Sequence, residues 1–485
     1  MRKIYLADQV KDLDKLAIFE QKITSISLIK RAAIAARDLL LHRWPEVKVV
    51  GIVCGSGNNG ADGFVLGALL ADRGIRVIIH SPAESLKNNS ESEIASRLCF
   101  ERKIKMTSLD EILEKSELLV DALLGTGLSR EVEGKHLEII RKLNQSNKPV
   151  FAIDIPSGLC SDTGRKRGAC VRANLTITFI GEKIGLYTGD GPAFAGEIIF
   201  DNLGVPLGIY SKVKHAARML ELESEKLKVP KRKANSHKGS HGHVLIVGGD
   251  EGMGGAAIMA AEAALYSGAG LVSLLTHPTN VPAALSRNPE IMVKGLNKSL
   301  DLNRMLQDAT SIVLGPGLGT GKWGLEIFRK IIKVNKPLVL DADGLNCLAS
   351  HRHVRDNWVL TPHPGEGKRL LEKDCQADRI NSVIELSQYY RAIAVLKGLG
   401  TLISNEEGDV GLCPYGNPGM AVGGMGDILA GVIGALIAQG ISNFESAKLG
   451  VVLHSFAADE IARRQGNIGI LATDLLPEIR RLLNS

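Results

Sequence analysis

Residues 47–63 read VKVVGIVCGSGNNGADG, and this stretch decides the fold of the first half. An apolar, β-branched run, 47–54, passes straight into a turn with glycines at 55, 57, 60 and 63, and then into an apolar helical pattern, Phe64–Asp72. A strand without polar alternation is buried on both faces, as in a parallel sheet covered by helices. The glycines permit positive φ and let backbone amides approach an anion at a helix N-terminus. A tight βα turn would explain the glycines alone. Asn58, Asn59 and Asp62 add three polar side chains that a plain turn does not need.

Working outward, further β-rich runs stand at 76–79, 117–121, 149–153 and 175–180, with a helical pattern at Leu28–Leu41. Strand and helix alternate at βαβ spacing, which predicts a doubly wound parallel sheet with its ligand at the carboxyl ends of the strands. Two more strand ends carry polar residues: Asp121 before Gly125, Thr126 and Gly127, and Asp154 before Ser157. Each Asp alone could cap the following turn. Three polar strand ends on one sheet edge instead form a site.

The pattern weakens from about residue 208, and residues 221–242 are polar, charged and contain Pro and Gly, which places a joint there. A second βα series follows, with strands expected at 243–247, 271–276, 311–314, 337–340, 358–360 and 392–396. Helices are expected at 256–268, 427–439 and 447–464. The fold class is therefore α/β in two domains, 1–220 and 225–485, and neither half shows a solenoid period. At 485 residues, with 45% hydrophobic and 23% charged, the chain is long enough for two cores and excludes a disordered or fibrous protein. Its net charge of +6 comes without a long Lys/Arg block, so no nucleic-acid partner is expected. The seven cysteines (54, 99, 160, 170, 347, 375 and 413) show no CxxC spacing, which favours reduced thiols over disulfides or zinc. Charges in the first residues, and an apolar run of only 428–438 at its longest, predict no signal peptide, no membrane span and a cytoplasmic location.

In the second half the strongest local signal is NPGMAVGGMGDILAG, where Gly423, Gly424 and Gly426 precede Asp427 at the start of an apolar helix. Successive amides there form an anion pocket. A carboxylate beside such a pocket is electrostatically costly unless it moves a proton, as when a hydroxyl is activated against a phosphoryl group. VLKGLGTLIS supplies Lys397 and a Gly-rich β-turn suited to a nucleotide phosphate, although no Walker A loop is present. Asp341, Asp343, His363 and Glu366 mark further strand ends. His363 taken alone also reads as a satisfied structural histidine.

GSGNNGADG, VDALLGTGL and AIDIPSGL, in this order, resemble the NAD(P)H-hydrate epimerase family, the YjeF N-terminal domain, over about residues 1–215. The family's usual glycine pair is here Gly60-Ala61, a departure that is tolerated if φ at Ala61 is negative. The resemblance implies a potassium ion held by Asn59, Asp121 and Ser157. It implies a cradle for pyrophosphate and ribose from Asn58, Asn59, Gly60, Ala61 and Asp62 together with Gly125, Thr126, Gly127, Leu128, Ser129, Arg130 and Glu131. Asp154 would stand at the nicotinamide.

KGSHGHVLIVGG, GPGLG, DADGLN, TPHPGE and AVGGMGDILAG resemble the ADP-dependent NAD(P)H-hydrate dehydratase family of the ribokinase-like superfamily, over about residues 225–485. That resemblance implies Asp427 as base, the Gly423–Gly426 amides at the transferring phosphoryl group, and Mg²⁺ to offset phosphate charge. Lys397, Gly398, Leu399, Gly400, Thr401 and Gly426 would contact ADP. Ala257, Gly319, His363 and Asp427 would line the hydrate pocket. The two resemblances together imply a bifunctional nicotinamide-nucleotide repair enzyme, an isomerase joined to a lyase. It would epimerise R and S hydrates of NADH and NADPH and dehydrate the S form, converting ADP to AMP and phosphate. A homo-oligomer is expected. The alternative is a small-molecule kinase of the hydroxymethylpyrimidine or thiazole type fused to a non-catalytic nucleotide-binding scaffold.

Overall fold

The computed structural model describes residues 2–82, 90–296 and 299–485. The chain divides into two compact units that part between Ala217 and Arg218.

In the unit Lys3–Ala217, seven strands form one parallel sheet: Lys105–Met106, Arg76–His80, Val49–Cys54, Leu118–Ala122, Val150–Ile153, Leu175–Phe179 and Glu197–Asp201, in that spatial order. Numbered by chain position, that order is 3-2-1-4-5-6-7, the doubly wound arrangement the alternation predicts. Its switch point lies between Val49–Cys54 and Leu118–Ala122, where ligands bind in such sheets. Val50, Ile52, Val53, Leu119 and Val120 are fully buried, because helices cover both faces.

The glycines of the first turn act otherwise than through positive φ, which none of Gly55, Gly57, Gly60 and Gly63 adopts. Gly55 and Gly60 are required for space. A Cβ at Gly55 would fall 1.9 Å from the Leu123 carbonyl oxygen, and one at Gly60 would fall 1.9 Å from that of Gly55. Ala61 keeps a helical φ inside Asn58–Ala71, so the departure from a glycine pair is accommodated.

In the unit from Arg218 to Ser485, seven parallel strands run in the spatial order Met292–Gly295, Leu271–Thr276, His243–Val247, Ser311–Leu314, Leu338–Leu340, Trp358–Leu360 and Ile393–Leu396. An antiparallel pair, Thr401–Ser404 and Val410–Cys413, extends the sheet, and Arg218–Met219 pairs with Gly411–Leu412 beyond it. The helices Gly254–Tyr266, Met425–Ala438 and Asn443–Gln465 pack through small residues. A Cβ at Gly431 would stand 2.1 Å from the Ala260 carbonyl oxygen, so that helix crossing demands glycine.

The polar stretch 221–242 is fixed in part on this unit. Leu222 enters its core, and Lys228 pairs with Glu225 and with Glu445 of the helix Asn443–Gln465. All seven cysteines are free and buried. Among the described residues no helix is long and apolar enough to cross a membrane.

Two candidate active sites

The first site grows from the switch point of the N-terminal sheet. Asp121 ends the strand Leu118–Ala122 and is fully buried. Its carboxylate accepts from Ser157 N at 2.7 Å, Ser157 Oγ at 2.5 Å and Leu123 N at 3.2 Å. Burial outweighs these bonds and pushes the carboxyl up to about 6. Ser157 Oγ in turn accepts from Leu124 N at 2.7 Å, and Asn59 Nδ2 donates to the Leu124 carbonyl at 3.0 Å. Asn59, Asp121 and Ser157, from three separate strand ends, thus close around the backbone of Leu123–Leu124. Asn59 Oδ1 remains buried with no hydrogen-bond partner among the described residues. A buried oxygen left without a donor is costly unless a cation or donor arrives. The pair Asn59 Oδ1 and Asp121, of low total charge, fits a monovalent ion.

Asp154 follows the strand Val150–Ile153 with φ at +66° and accepts from the Lys183 ammonium, from Thr178 Oγ1 at 3.3 Å and from Phe179 N at 3.3 Å. Asp62, in the second turn of the helix Asn58–Ala71, and Asp14 feel the charges of this pair. Burial raises both carboxyls, Asp14 to about 6, with the Asp154 charge adding to the rise and Lys183 opposing it. Asn58, Gly60 and Ala61 share the helix start with Asn59 and Asp62. In the segment 125–131, a Cβ at Gly125 would stand 3.2 Å from Asn59 Cβ, and Thr126 accepts at its carbonyl from Ser161 Oγ at 3.4 Å. Leu128 packs in the small cluster around Val132, while Gly127, Ser129, Arg130 and Glu131 are exposed. The sequence reading missed Lys183 and Asp14. The signal for Lys183 is the charged pair Glu182-Lys183 set between two apolar runs, a position where charge survives only if paired.

The second site lies at the carboxyl ends of the C-terminal strands. Asp341, fully buried, accepts from Lys397 Nζ at 2.7 Å and from Thr361 Oγ1 at 2.8 Å. Ala342, with φ at +47°, turns the chain so that Asp343 faces another way, accepting from Gly319 N at 2.9 Å and Asn346 Nδ2 at 3.1 Å. His363 caps the helix Pro364–Leu371 through Gly365 N at 2.9 Å, while Glu366 accepts from His363 N at 2.7 Å. The histidine therefore has its structural role, yet half of its side chain stays exposed. Ala257 is fully buried, and Gly319 adopts φ at +71° against Asp250.

Gly424, with φ at +93°, turns the backbone into the helix Met425–Ala438, whose first turn holds Asp427. Burial, then the charge of Asp341, pushes the Asp427 carboxyl up to about 7, against the pull of Lys397 and with Asp343 and Glu366 adding to the rise. Burial likewise raises Glu366 to about 7. Burial opposes the Lys397 charge, but Asp341, Glu366 and Asp427 hold its pKa above the ordinary lysine value. A carboxyl near 7 in the first turn of a helix is suited to general-base work. Gly398, with φ at +127°, and Gly400, with φ at +67°, shape the turn after Lys397. Leu399 is 44% exposed, and Thr401 Oγ1 donates to the Gly398 carbonyl at 3.0 Å. Arg379, 1% exposed, donates to the carbonyls of Leu396 at 3.2 Å, Lys397 at 3.3 Å and Gly400 at 3.3 Å. The sequence reading missed this arginine, which sits in an ordinary amphipathic helix. Among the described residues no group of three or more His, Cys, Asp or Glu is arranged to hold a metal.

A family model described as YjeF-related protein N-terminus matches residues 25–185, and one described as NAD(P)H-hydrate dehydratase matches residues 244–481. The bifunctional NAD(P)H-hydrate repair enzyme of Coxiella burnetii is 44% identical over 100% of this chain and 100% of its own length. That of Escherichia coli is 38% identical over 99% of this chain and 94% of its own. Among solved structures, a ribokinase-like superfamily protein from Enterococcus faecalis matches with a TM-score of 0.53 at 28% identity, covering 56% of this chain and 96% of its own.

Proposed function

Because the chain belongs to the family of bifunctional NAD(P)H-hydrate repair enzymes, we propose that its N-terminal unit interconverts the R and S hydrates of NADH and NADPH, and that its C-terminal unit dehydrates the S form with ADP. The alternative of a kinase fused to an inert scaffold is not favoured, since full-length relatives carry both halves under one bifunctional name.

The observation that carries the dehydratase reading is Asp427, poised near 7 in the first turn of an amide-lined helix start. Asp427 takes the proton of the ring hydroxyl as the hydroxyl oxygen attacks the β-phosphorus of ADP, and AMP leaves. The Gly423–Gly426 amides stabilise charge on the transferring phosphoryl group. Phosphate then departs from the ring carbon with its bonding pair, a ring proton is lost, and the dihydropyridine returns. The turn 397–401 and Gly426 contact ADP, and Ala257, Gly319 and His363 shape the hydrate pocket. The carboxylates here are already engaged by Lys397, Thr361, Gly319 and Asn346. They make no ready-made cage for Mg²⁺, which would arrive on the diphosphate with its own waters.

In the epimerase half, Asp154 faces the nicotinamide hydrate, while residues 58–62 and 125–131 cradle its pyrophosphate and ribose. Asn59, Asp121 and Ser157 hold a potassium ion, supported by the unpartnered Asn59 Oδ1. When bound, the ion supplies positive charge beside the substrate. The protein is a cytoplasmic homo-oligomer in this reading, the assembly being checked by sedimentation. Incubating the purified chain with racemic hydrate, with and without ADP, tests the function. Complete recovery of reduced-nicotinamide absorbance with ADP is expected, and no recovery in either case would sink it.

A further inference from the structure

Lys183 is 1% exposed, and a lysine so buried must have its charge matched. Its ammonium donates to the Asp154 carboxylate, to Thr178 Oγ1 at 3.1 Å and to the Phe179 carbonyl at 3.0 Å. Three donors meet three acceptors, which leaves none for a ligand. Asp154 differs: its side chain is 18% exposed, and its left-handed backbone is held by Asp154 N donating to the Ile177 carbonyl at 2.7 Å. Asp14 and Asp62 complete the group, two carboxyls that burial pushes towards the protonated form. The cation's direct bond goes to one of these three carboxylates. Lys183 touches Asp154.

We infer that Lys183 is the positioning residue of the epimerase site, fixing the orientation of the Asp154 carboxylate towards the substrate through a charged hydrogen bond without touching substrate itself. This rests on the reading that Asp154 faces the nicotinamide hydrate. Asp62, which burial holds towards its protonated form, is then left as a proton-bearing neighbour, the division of roles expected when environments push carboxyl groups apart.

The test follows R-to-S interconversion by chromatography in the full-length protein without ADP, so that dehydration is silent. Lys183→Met should lower kcat about 30-fold or more while KM changes less than about twofold, because the lost group never binds substrate. Lys183→Gln, which keeps donors but not charge, guards against loss through packing alone and should show the same kcat defect. Asp154→Asn should lose about 10²-fold. The double variant Asp154→Asn/Lys183→Met should be no slower than Asp154→Asn and should melt higher, because the single change leaves a buried ammonium unpaired. Wild-type rates in both Lys183 variants, with Asp154→Asn inactive, overturn the positioning role alone. Equal losses from Lys183→Met in both backgrounds do the same. A normal rate in Asp154→Asn overturns the inference together with the reading beneath it.

Discussion

The Lys397 ammonium and the Asp341 carboxylate lie 2.7 Å apart directly against Gly426, whose α-carbon could carry a Cβ only 3.2 Å from Lys397 Nζ and 3.3 Å from Asp341 Oδ2. The glycine of the GGMGD turn is thus held to a minimum by an ion pair contributed by two other strand ends. Lys397 also stands 3.9 Å from Glu366. Lys397→Met should destabilise the C-terminal unit by about 3 kcal/mol, since it leaves buried carboxylates without their cation. The deficit should shrink as pH falls below 7, where Glu366 takes up a proton. Thermal melts at pH 6 and pH 8 check this, and an equal deficit at both would separate Glu366 from the pair.

Asp427, as the proposed base, should set the pH dependence of dehydration. The base works only when deprotonated, so the rate should rise with pH and level off above about 7, the value to which burial and Asp341 push it. Glu366 titrates in the same range, so the measured midpoint belongs to the cluster rather than to one carboxyl. Asp427→Asn should cost more than about 10²-fold in kcat while leaving ADP affinity nearly intact. Near-normal turnover would remove Asp427 from the mechanism.

The same shift makes a stability statement with the opposite appeal. The folded pKa of Asp427 lies above the unfolded value of about 4, so its favourable contribution is complete below pH 4 and is lost as pH rises through 7. Asp427→Asn should therefore melt higher than wild type at pH 8 and about equal to it at pH 4. A lower melting temperature at pH 8 would contradict the buried, mutually repelling carboxylates.

Potassium should raise epimerisation relative to sodium, and Asp121→Ala should abolish that difference with most of the activity. Asp121→Ala also strips acceptors from Ser157 N, Ser157 Oγ and Leu123 N, each buried donor so stranded costing about 1–3 kcal/mol. A purely structural Asp121 would give a variant that melts early yet keeps its potassium response. Initial rates in the two salts, below the melting transition, distinguish these outcomes.

Arg379 ties three carbonyls of the turn following Ile393–Leu396, which fixes how that turn presents its amides. Arg379→Met should raise KM for ADP about tenfold, with a smaller change in kcat, because in the proposed reading the turn would bind nucleotide in ground and transition states alike. A variant that melts normally and keeps its KM would show that the turn is shaped by Gly398 and Gly400 alone.

By itself the sequence determined the α/β class of both halves, their central strands, and the polar turns at Asn59, Asp121, Asp154, Asp341 and Asp427. Buried parallel strands read as unbroken apolar runs, and a turn that closes on a ligand must be glycine-rich, so both are local signals. Tertiary structure alone decided the partners. Glycines 55 and 60 proved to be required for clearance from Leu123 and Gly55, contacts made by turns distant in sequence or folded back on themselves. Lys183 and Arg379 carry no motif, because what distinguishes them is burial among acceptors that come from other elements. The polar stretch 221–242 reads as a joint by composition, yet Leu222 and Lys228 are anchored by the core and by Glu445. Charge pairing across the fold depends on distance in space, to which a linear pattern is blind.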